Sequence, residues 1–230
     1  MRSLLVTALV ALFFGFGGAA IWSATGLGHG QVREYLLENP EILKEMADNY
    51  QKQQTSERLS GVAGDVTKPF PGAVLGNPDG KVTLVEFTDY GCSYCRMSRE
   101  HVENLIAKNP DLKVVIREWA IFQGSDQAAK MALAAAQQGK FAQFHKNMFL
   151  QGPPSAASIL AAAKTSGLDL AKAQSFIESK ESDVELARNM SIAQQLGFTG
   201  TPSWVVGGAV LEGAIGEDGL QEAIDAARES

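Results

Sequence analysis

The stretch VTLVEFTDYGCSYC, residues 82–95, constrains the fold of this chain more than any other segment. Val82 to Phe87 is an apolar, β-rich run long enough for a buried central strand, and two cysteines follow it closely. From Arg96 to Lys108 apolar residues recur at helical spacing, and Val114 to Ile116 predicts another strand. The sequence therefore predicts a β-α-β unit with both cysteines at the strand-to-helix junction.

Cys92 and Cys95 are the only cysteines of the 230 residues. Unpaired N–H groups and the positive dipole end at a helix N-terminus lower a cysteine pKa, and the thiolate is the species that attacks disulfides. One helical turn later, Cys95 is within bonding reach of Cys92. We therefore predict a redox pair in which Cys92 exchanges disulfides with substrate and Cys95 resolves the product, with a lowered pKa for Cys92 only.

Four other interpretations of the cysteine pair compete with this one. Zinc takes four ligands, and His29, His101 and His145 are scattered along the chain, so we predict no metal and no cofactor. An inert structural disulfide would close a loop too short to gain much stability. The alternative function is binding of Cu(I) between the two thiolates, since paired cysteines suit that ion. The last interpretation is a scaffold protein in which the pair has no chemical role.

The remaining segments complete an α/β pattern. Ala73 to Leu75 predicts a first strand, and Trp204 to Val206 with Val210 to Glu212 predicts a hairpin across two glycines. A closing helix is expected over Glu217 to Arg228. Between residues 123 and 196 the pattern predicts helices only, at 127–138, 141–150, 156–165, 170–179 and 182–196.

The N-terminus predicts export. Arg2 precedes an uncharged apolar run from Leu4 to Trp22, which is the order found in secretory signals and N-terminal anchors. Small residues at 18–20 suit a cleavage site, while the run is also long enough to span a bilayer, so both alternatives stay open. The net charge of −6 and the lack of a long basic run exclude nucleic acid as an expected partner.

A helical arm is predicted between this run and the first strand. Asn39 is expected to cap a helix that restarts at Pro40, and a loop is expected from Gly61 to Gly72. An isolated amphipathic helix needs a partner, which is either the chain's own catalytic domain or a second copy. We predict self-association through residues 31–59, where an apolar stripe is formed by Val32, Leu36, Leu37, Leu43, Met46, Ala47 and Tyr50.

Four motifs, VEFTDYGCSYC, REWAIF, FHKNMF and LGFTGTPSWVVGG, together resemble the DsbA-like thioredoxin-fold family, in its ScsC-like or Com1-like branch. The resemblance covers Ala73 to Ala227. It implies a thioredoxin fold with a helical domain inserted after the third strand. It also implies that Thr201 and Pro202 form a cis-proline loop that faces the redox pair and binds an extended substrate segment, beside Ser93 and Tyr94.

Glu86 matches the buried acid that precedes the cysteines in this family, which implies a proton acceptor for Cys95. The alternative is a glutamate at the sheet edge that reaches solvent. Asp89 is expected only to order the turn, because its charge would oppose a Cys92 thiolate. His145 also matches a family position, but we leave it out of the predicted site since a lone histidine on a helix is more often packed or solvated.

The resemblance further implies exported protein substrates with thiols or disulfides and a membrane redox partner that recycles the pair. Ser93 and Tyr94 replace the Pro-His of strongly oxidising members, so no redox potential can be carried over. Thr201 resembles the isomerase-type and ScsC-like branches, and VREYLLENPEIL resembles the oligomerisation arm of ScsC-like members. The predicted function is that of a periplasmic or other extracytoplasmic thiol–disulfide oxidoreductase. Whether it acts as an oxidase or as an isomerase stays open at this point.

The expected architecture is α/β, a thioredoxin fold with an inserted helical domain, preceded by an N-terminal helical arm. The predicted boundaries are 1–24 for the signal peptide or anchor, 25–60 for the arm, 70–122 with 197–230 for the thioredoxin-like domain, and 123–196 for the inserted domain.

Overall fold

A computed structural model of the chain describes residues 10–16 and 27–229, with backbone only for 27–30. Residues 10–16 are helical, and the rest of the apolar run with its cleavage site lies outside the described residues. Among the helices of the described part, none is long and apolar enough to cross a membrane. The chain divides into two compact units, residues 1–53 and 54–230.

The first unit contains the helix α1 (Leu27–Glu38) and the first half of α2 (Glu41–Val66). The predicted break between the two helices is confirmed. However, α2 begins at Glu41, and Asn39 Nδ2 donates to the Tyr35 carbonyl at 2.8 Å. Asn39 thus holds the end of α1, where we predicted a cap for the next helix.

The second unit is built on a five-stranded sheet of order β1-β3-β2-β4-β5. Strands β2 and β3 pair in parallel, and the other neighbours are antiparallel. The strands are β1 (Val74–Gly76), β2 (Val82–Thr88), β3 (Leu112–Glu118), β4 (Ser203–Val206) and β5 (Ala209–Glu212). The strand with the cysteine motif, β2, is central and almost wholly buried, as its apolar sequence predicts.

Seven further helices surround this sheet. They are α3 (Ser93–Lys108), α4 (Ser125–Gln137), α5 (Phe141–Leu150), α6 (Ala156–Thr165), α7 (Leu170–Glu178), α8 (Glu181–Leu196) and α9 (Gly216–Glu229). The helices α4 to α8 follow one another between β3 and β4, so the predicted order of strands, helical insertion, hairpin and closing helix is confirmed.

Both faces of the sheet are covered. One face of the sheet carries Leu84, Val114 and Ile116. It is covered by α3, which carries Cys95, by α9 and by the inserted helices, and Cys92 and Cys95 belong to the same core. Val85 and Val115, at alternate positions, point to the other side. That second face is covered by the end of α2 and by α8, through Val62, Val66, Ile192, Ala193 and Leu196.

The loop predicted from Gly61 was wrong at its start, because α2 continues as a helix to Val66. Gly61 and Gly64 lie inside this helix, but a glycine costs a helix only about 0.5–1 kcal/mol. Burial of Val62 and Val66 outweighs this cost, since fully burying a valine contributes about 1.5–3 kcal/mol.

Arg117 of β3 anchors the end of α2. Its side chain is 1% exposed and donates to the carbonyls of Asp65, Val66 and Lys68. It also donates to Glu185 Oε1 at 3.2 Å and Asn189 Oδ1 at 2.8 Å on α8. A cation there complements the negative dipole end of α2 and satisfies carbonyls that the helix leaves unpaired.

Replacing Arg117 by Met should destabilise the protein strongly. The change removes the buried guanidinium from three carbonyls and from Glu185, which costs about 3–5 kcal/mol. The matched control is Arg188→Met, because Arg188 pairs with Asp65 and Glu185 but is one-third exposed, so its loss should cost about 1 kcal/mol or less. Urea unfolding at neutral pH measures both, and equal losses would contradict the anchoring role.

Candidate active site

The turn after β2 places Cys92 at the start of α3. Cys92 is the N-cap residue of this helix, in an extended conformation with φ −82° and ψ 122°. Its sulfur lies 3.3 Å from the carbonyl oxygen of Thr201, to which Cys92 donates a hydrogen bond only in its protonated form. The Thr201–Pro202 peptide bond is cis and directly precedes β4, so the loop that the family resemblance implied does lie against Cys92.

Cys95 lies in the first turn of α3, completely buried. Its thiol hydrogen-bonds to the Cys92 sulfur, and this bond is the largest cause that lowers the pKa of Cys92, to about 5, although burial opposes it. The Thr201 hydroxyl and the backbone N–H groups of Cys95 and Tyr94 add smaller contributions. Cys92 is therefore a thiolate at neutral pH, and the helix N-terminus that we predicted as the cause is secondary to the neighbouring thiol.

The pKa of Cys95 is raised far above that of a free thiol. Burial is the main cause, followed by the hydrogen bond that Cys95 gives to Cys92 and by the charge of Glu86. The two sulfurs, one turn apart, thus hold a single proton on the buried side.

Glu86 lies in the middle of the sheet, paired in register with Ile116 of β3 and Trp204 of β4. The alternative of a solvated edge glutamate is wrong, because the residue is 2% exposed. Burial and the charge of Cys92 raise its pKa to about 8, against an opposing effect of the Thr88 hydroxyl. An acid with this pKa gains and loses a proton near neutral pH.

Asp89 orders the turn, as expected. Its carboxylate accepts from the Gly91 N–H at 2.6 Å, from the Ser125 hydroxyl, and from the N–H groups of Ile121 and Phe122 at 2.6 and 2.9 Å. It thereby ties the turn before Cys92 to the segment between β3 and α4. At Gly91 a Cβ would lie 2.8 Å from the Ser125 hydroxyl, so a side chain does not fit.

Ser93 and Tyr94 are exposed in the first turn of α3, and Pro202 is buried at the start of β4. Other large apolar side chains are exposed on α3 and on the segment that Asp89 holds, namely Met97, Ile121 and Phe122. Within the described residues no group of three or more His, Cys, Asp or Glu side chains could hold a metal ion.

The sequence analysis missed two buried residues, Tyr90 and Glu118, and left out a third, His145. The Tyr90 hydroxyl donates to Glu118 Oε1 at 2.9 Å and lies 3.0 Å from His145 Nδ1. Burial raises the pKa of Tyr90 and Glu118 and lowers that of His145 to about 3. Tyr90 lies 28 residues from Glu118 and 55 residues from His145 along the chain, so local periodicity could not link the three.

The cause of the Cys92 shift gives a prediction. Cys95→Ala removes the hydrogen bond that contributes most, so the pKa of Cys92 should rise from about 5 towards the free value of about 8.5. Cys95→Ser keeps an O–H donor at the same place and should keep most of the shift. Thiolate absorbance against pH measures both. Equal pKa values in the two variants would show that the helix N-terminus is the main cause.

The pKa of Cys92 also makes the stability of the reduced protein depend on pH. The folded-state pKa is lowered, so the thiolate stabilises the folded state fully above about pH 8.5, and this contribution is lost as the pH falls through about 5. The difference in unfolding free energy between the reduced protein and Cys92→Ser should therefore grow from pH 5 to pH 8. Urea unfolding across this range checks the sign, and a difference that does not change with pH would contradict it.

Several known proteins resemble this chain. A thioredoxin-like oxidoreductase from Silicibacter pomeroyi DSS-3 is 43% identical to this chain and superposes with a TM-score of 0.66. The match covers 68% of this chain and 92% of the Silicibacter chain. The thiol-disulfide exchange protein alpha-DsbA2 from Wolbachia pipientis is 25% identical, with coverages of 77% and 97% and a TM-score of 0.69. A periplasmic thioredoxin-like protein from Salmonella enterica serovar Typhimurium is 25% identical, with coverages of 74% and 97% and a TM-score of 0.65.

The curated relatives are much longer. The Na(+)/H(+) antiporter NhaA 1 of Salinispora arenicola is 27% identical over 158 residues, which is 67% of this chain and 24% of the antiporter. The chain thus spans about a quarter of the length of these relatives.

Two family models match consecutive parts of the chain. Residues 29–57 match the model described as the N-terminal domain of the copper resistance protein ScsC. Residues 70–226, which include the whole sheet, both cysteines and the inserted helices, match the model described as thioredoxin. The sequence resemblance and the thioredoxin fold with its helical insertion are confirmed, and the chain belongs to the thioredoxin family, in its DsbA- and ScsC-like part.

Proposed function

We propose that this protein is an extracytoplasmic thiol–disulfide oxidoreductase that exchanges disulfides in exported proteins through Cys92 and Cys95. The observation that carries the proposal is the unequal state of the two sulfurs. Cys92 faces the Thr201 loop as a thiolate, whereas Cys95 is a buried thiol beside Glu86. In such a pair, one sulfur reacts with the substrate and the other resolves the mixed disulfide.

In the oxidising direction, a substrate thiolate attacks Cys92 of the disulfide form and makes a mixed disulfide. The bond to Cys95 breaks, and the Cys95 sulfur leaves as a thiolate that takes a proton from Glu86. A second substrate thiolate then attacks the substrate sulfur of the mixed disulfide, and Cys92 leaves as the thiolate that the Cys95 thiol stabilises. Two electrons pass from substrate to the pair, which a membrane partner must reoxidise.

Substrate would lie along the Thr201 loop. The apolar side chains exposed on α3 and on the segment held by Asp89, those of Tyr94, Met97 and Phe122, offer contacts to unfolded chains, which expose apolar residues. This supports Ser93, Tyr94, Thr201 and Pro202 as the substrate-binding residues. The periplasmic location is supported by the apolar N-terminus and by the similarity to the Salmonella periplasmic protein.

For the arm we propose self-association through residues 31–59. The match to the ScsC N-terminal domain supports it, as does an apolar groove that this arm forms by itself from Val32, Leu36, Leu37, Pro40, Leu43 and Met46, with Arg33 at its edge. Five of these side chains belong to the stripe that the sequence predicted. Several joined copies would present several Cys92 thiolates to one substrate, which favours isomerisation over simple oxidation.

Binding of Cu(I) between the two thiolates is the second candidate, and the name of the ScsC model is what favours it. It requires Cys95 to lose a proton that burial holds firmly. Titration of the reduced protein with Cu(I), beside the double serine variant, separates the two functions. Tight equimolar binding that also blocks thiol exchange would favour the copper function.

The roles of the two cysteines can be tested by trapping. Cys95→Ser should accumulate mixed disulfides with exported proteins, because the thiolate that attacks is present and the thiol that resolves is not. Cys92→Ser should form none, since Cys95 is buried and protonated. Non-reducing gels followed by identification of the trapped proteins measure this. Equal trapping by both variants would contradict the assignment.

Self-association can be tested by introducing charged side chains into the groove. Leu37→Lys with Leu43→Lys places two cations in the groove and should convert an oligomer to monomers, which light scattering detects. Glu34→Lys with Glu45→Lys adds the same number of lysines to exposed positions outside the groove and should leave the oligomer intact. A monomeric unsubstituted protein, or equal effects of the two pairs, would reject the interface.

A further inference from the structure

Disulfide exchange as proposed above moves a proton on and off a sulfur that solvent does not reach. Cys95 is completely buried, and Glu86, the acid next to it, is 2% exposed. A proton taken up by Glu86 must therefore pass through further buried groups before it reaches water. The described part of the chain contains one connected set of groups that fits this requirement.

The set begins on the face of the sheet that α3 covers. Glu86 and Thr88 lie two positions apart on β2, and Thr88 pairs in register with Glu118 on β3. The Thr88 hydroxyl lies close enough to Glu86 and Cys95 to affect the pKa of both. The charge of Glu86 also raises the pKa of Glu118, since two like charges in a buried site are unfavourable.

Two polar atoms at this register pair have no hydrogen-bond partner among the described residues. They are Thr88 Oγ1 and Glu118 Oε2, and both are buried. Buried polar atoms are nearly always paired with protein or with an ordered water, and neighbouring strands are about 4.8 Å apart. A water bridging these two atoms would satisfy both and connect the Cys95 side of the site to Glu118.

From Glu118 the connection is direct. Its Oε1 accepts the Tyr90 hydroxyl at 2.9 Å, and this hydroxyl lies 3.0 Å from His145 Nδ1. All three side chains are buried. The ring of Tyr90 contacts those of Phe144 and Phe149, and the His145 ring stacks on Phe141. A phenol hydroxyl between a carboxyl group and an imidazole can give a proton to one neighbour while it accepts one from the other.

His145 lines a cavity of about 470 Å³ between β1, α3 and α5. Arg99, Glu103 and Lys146 also line it, together with apolar side chains such as Val102. Burial and the nearby Arg99 charge keep the imidazole neutral, with a pKa of about 3. A neutral imidazole accepts at one nitrogen and donates at the other, so it can pass a proton between Tyr90 and the cavity.

We propose that Glu118, Tyr90 and His145 carry the proton of the buried cysteine to and from the cavity between α3 and α5. The path rests on the proposed function, because it serves the step in which Cys95 resolves a mixed disulfide. It goes beyond that function by giving a role to three residues that never touch substrate.

The test separates the two sulfurs by reacting the reduced protein with dithiobis(nitrobenzoate). The Cys92 thiolate breaks the disulfide of the reagent, forms a mixed disulfide and releases one coloured thiolate. Cys95 then loses its proton, attacks the Cys92 sulfur and releases the second coloured thiolate, leaving the Cys92–Cys95 disulfide. The first release tests the proposed function, and the second tests the path.

In Tyr90→Phe the first release should be unchanged, because the thiolate of Cys92 does not depend on the path. The second release should slow by about tenfold or more, within the range that a positioned proton-transfer group contributes, and its solvent deuterium isotope effect should increase. The control is Phe149→Leu, which alters packing on the Tyr90 ring, whose centroid lies 4.8 Å away, and removes no proton carrier. It should leave the isotope effect unchanged.

Chemical rescue gives a second measurement, because added imidazole would not restore a loss that is caused only by altered packing. His145→Ala should slow the second release, and imidazole added to the buffer should restore it by entering through the cavity. Imidazole should not restore Tyr90→Phe, in which the hydroxyl is still missing. Glu118→Gln keeps the acceptor for Tyr90 without an exchangeable carboxyl proton, and it should behave like Tyr90→Phe.

Three outcomes would overturn the path. They are an unchanged second release and isotope effect in Tyr90→Phe, an equal slowing in Phe149→Leu, and no rescue of His145→Ala by imidazole. If the unsubstituted protein shows no first release at all, the proposed function fails instead.

Discussion

The hydrogen bond from the Cys95 thiol to the Cys92 sulfur is the interaction on which the rest of the site depends. Burial favours the neutral form of both cysteines. It is the largest influence on the pKa of Cys95, whereas at Cys92 the hydrogen bond from Cys95 outweighs it. One proton is therefore held on the inner sulfur, where it stabilises negative charge on the outer one.

This arrangement requires an acid in the protein interior. The sheet provides one, although burying an ionisable group is energetically unfavourable. Glu86 and Glu118 occupy core positions on adjacent strands, where a charged carboxylate would be expensive. Both are held towards the neutral form by burial. Asp89 shows the contrasting solution, since four hydrogen bonds satisfy its buried carboxylate and fix it as a structural group. Asp89 is thus tied into the fold by four hydrogen bonds, whereas Glu118 accepts one, from Tyr90.

Most of the fold could be predicted because its signals are local. The apolar runs of β2 and β3 and the helical periodicity of the insertion were sufficient to order the elements, and the family resemblance located the Thr201 loop. What escaped prediction depends on contacts between distant residues. The extension of α2 is stabilised by Val62, Val66 and Arg117 packing across the sheet, which glycine positions alone could not indicate. Likewise, the Tyr90 network joins three elements that sequence spacing does not relate.

Arg117 and Glu118 show how one strand serves two purposes. As consecutive residues of β3 they point to opposite faces of the sheet. Arg117 binds the carbonyls at the end of α2 and the carboxylate of Glu185 on α8, while Glu118 accepts from Tyr90 on the cysteine side. The sheet lies between the two side chains, so the guanidinium does not lie on the side of the redox pair. Because side chains alternate along a β-strand, adjacent residues can fix the end of α2 on one face and supply a buried neutral acid on the other.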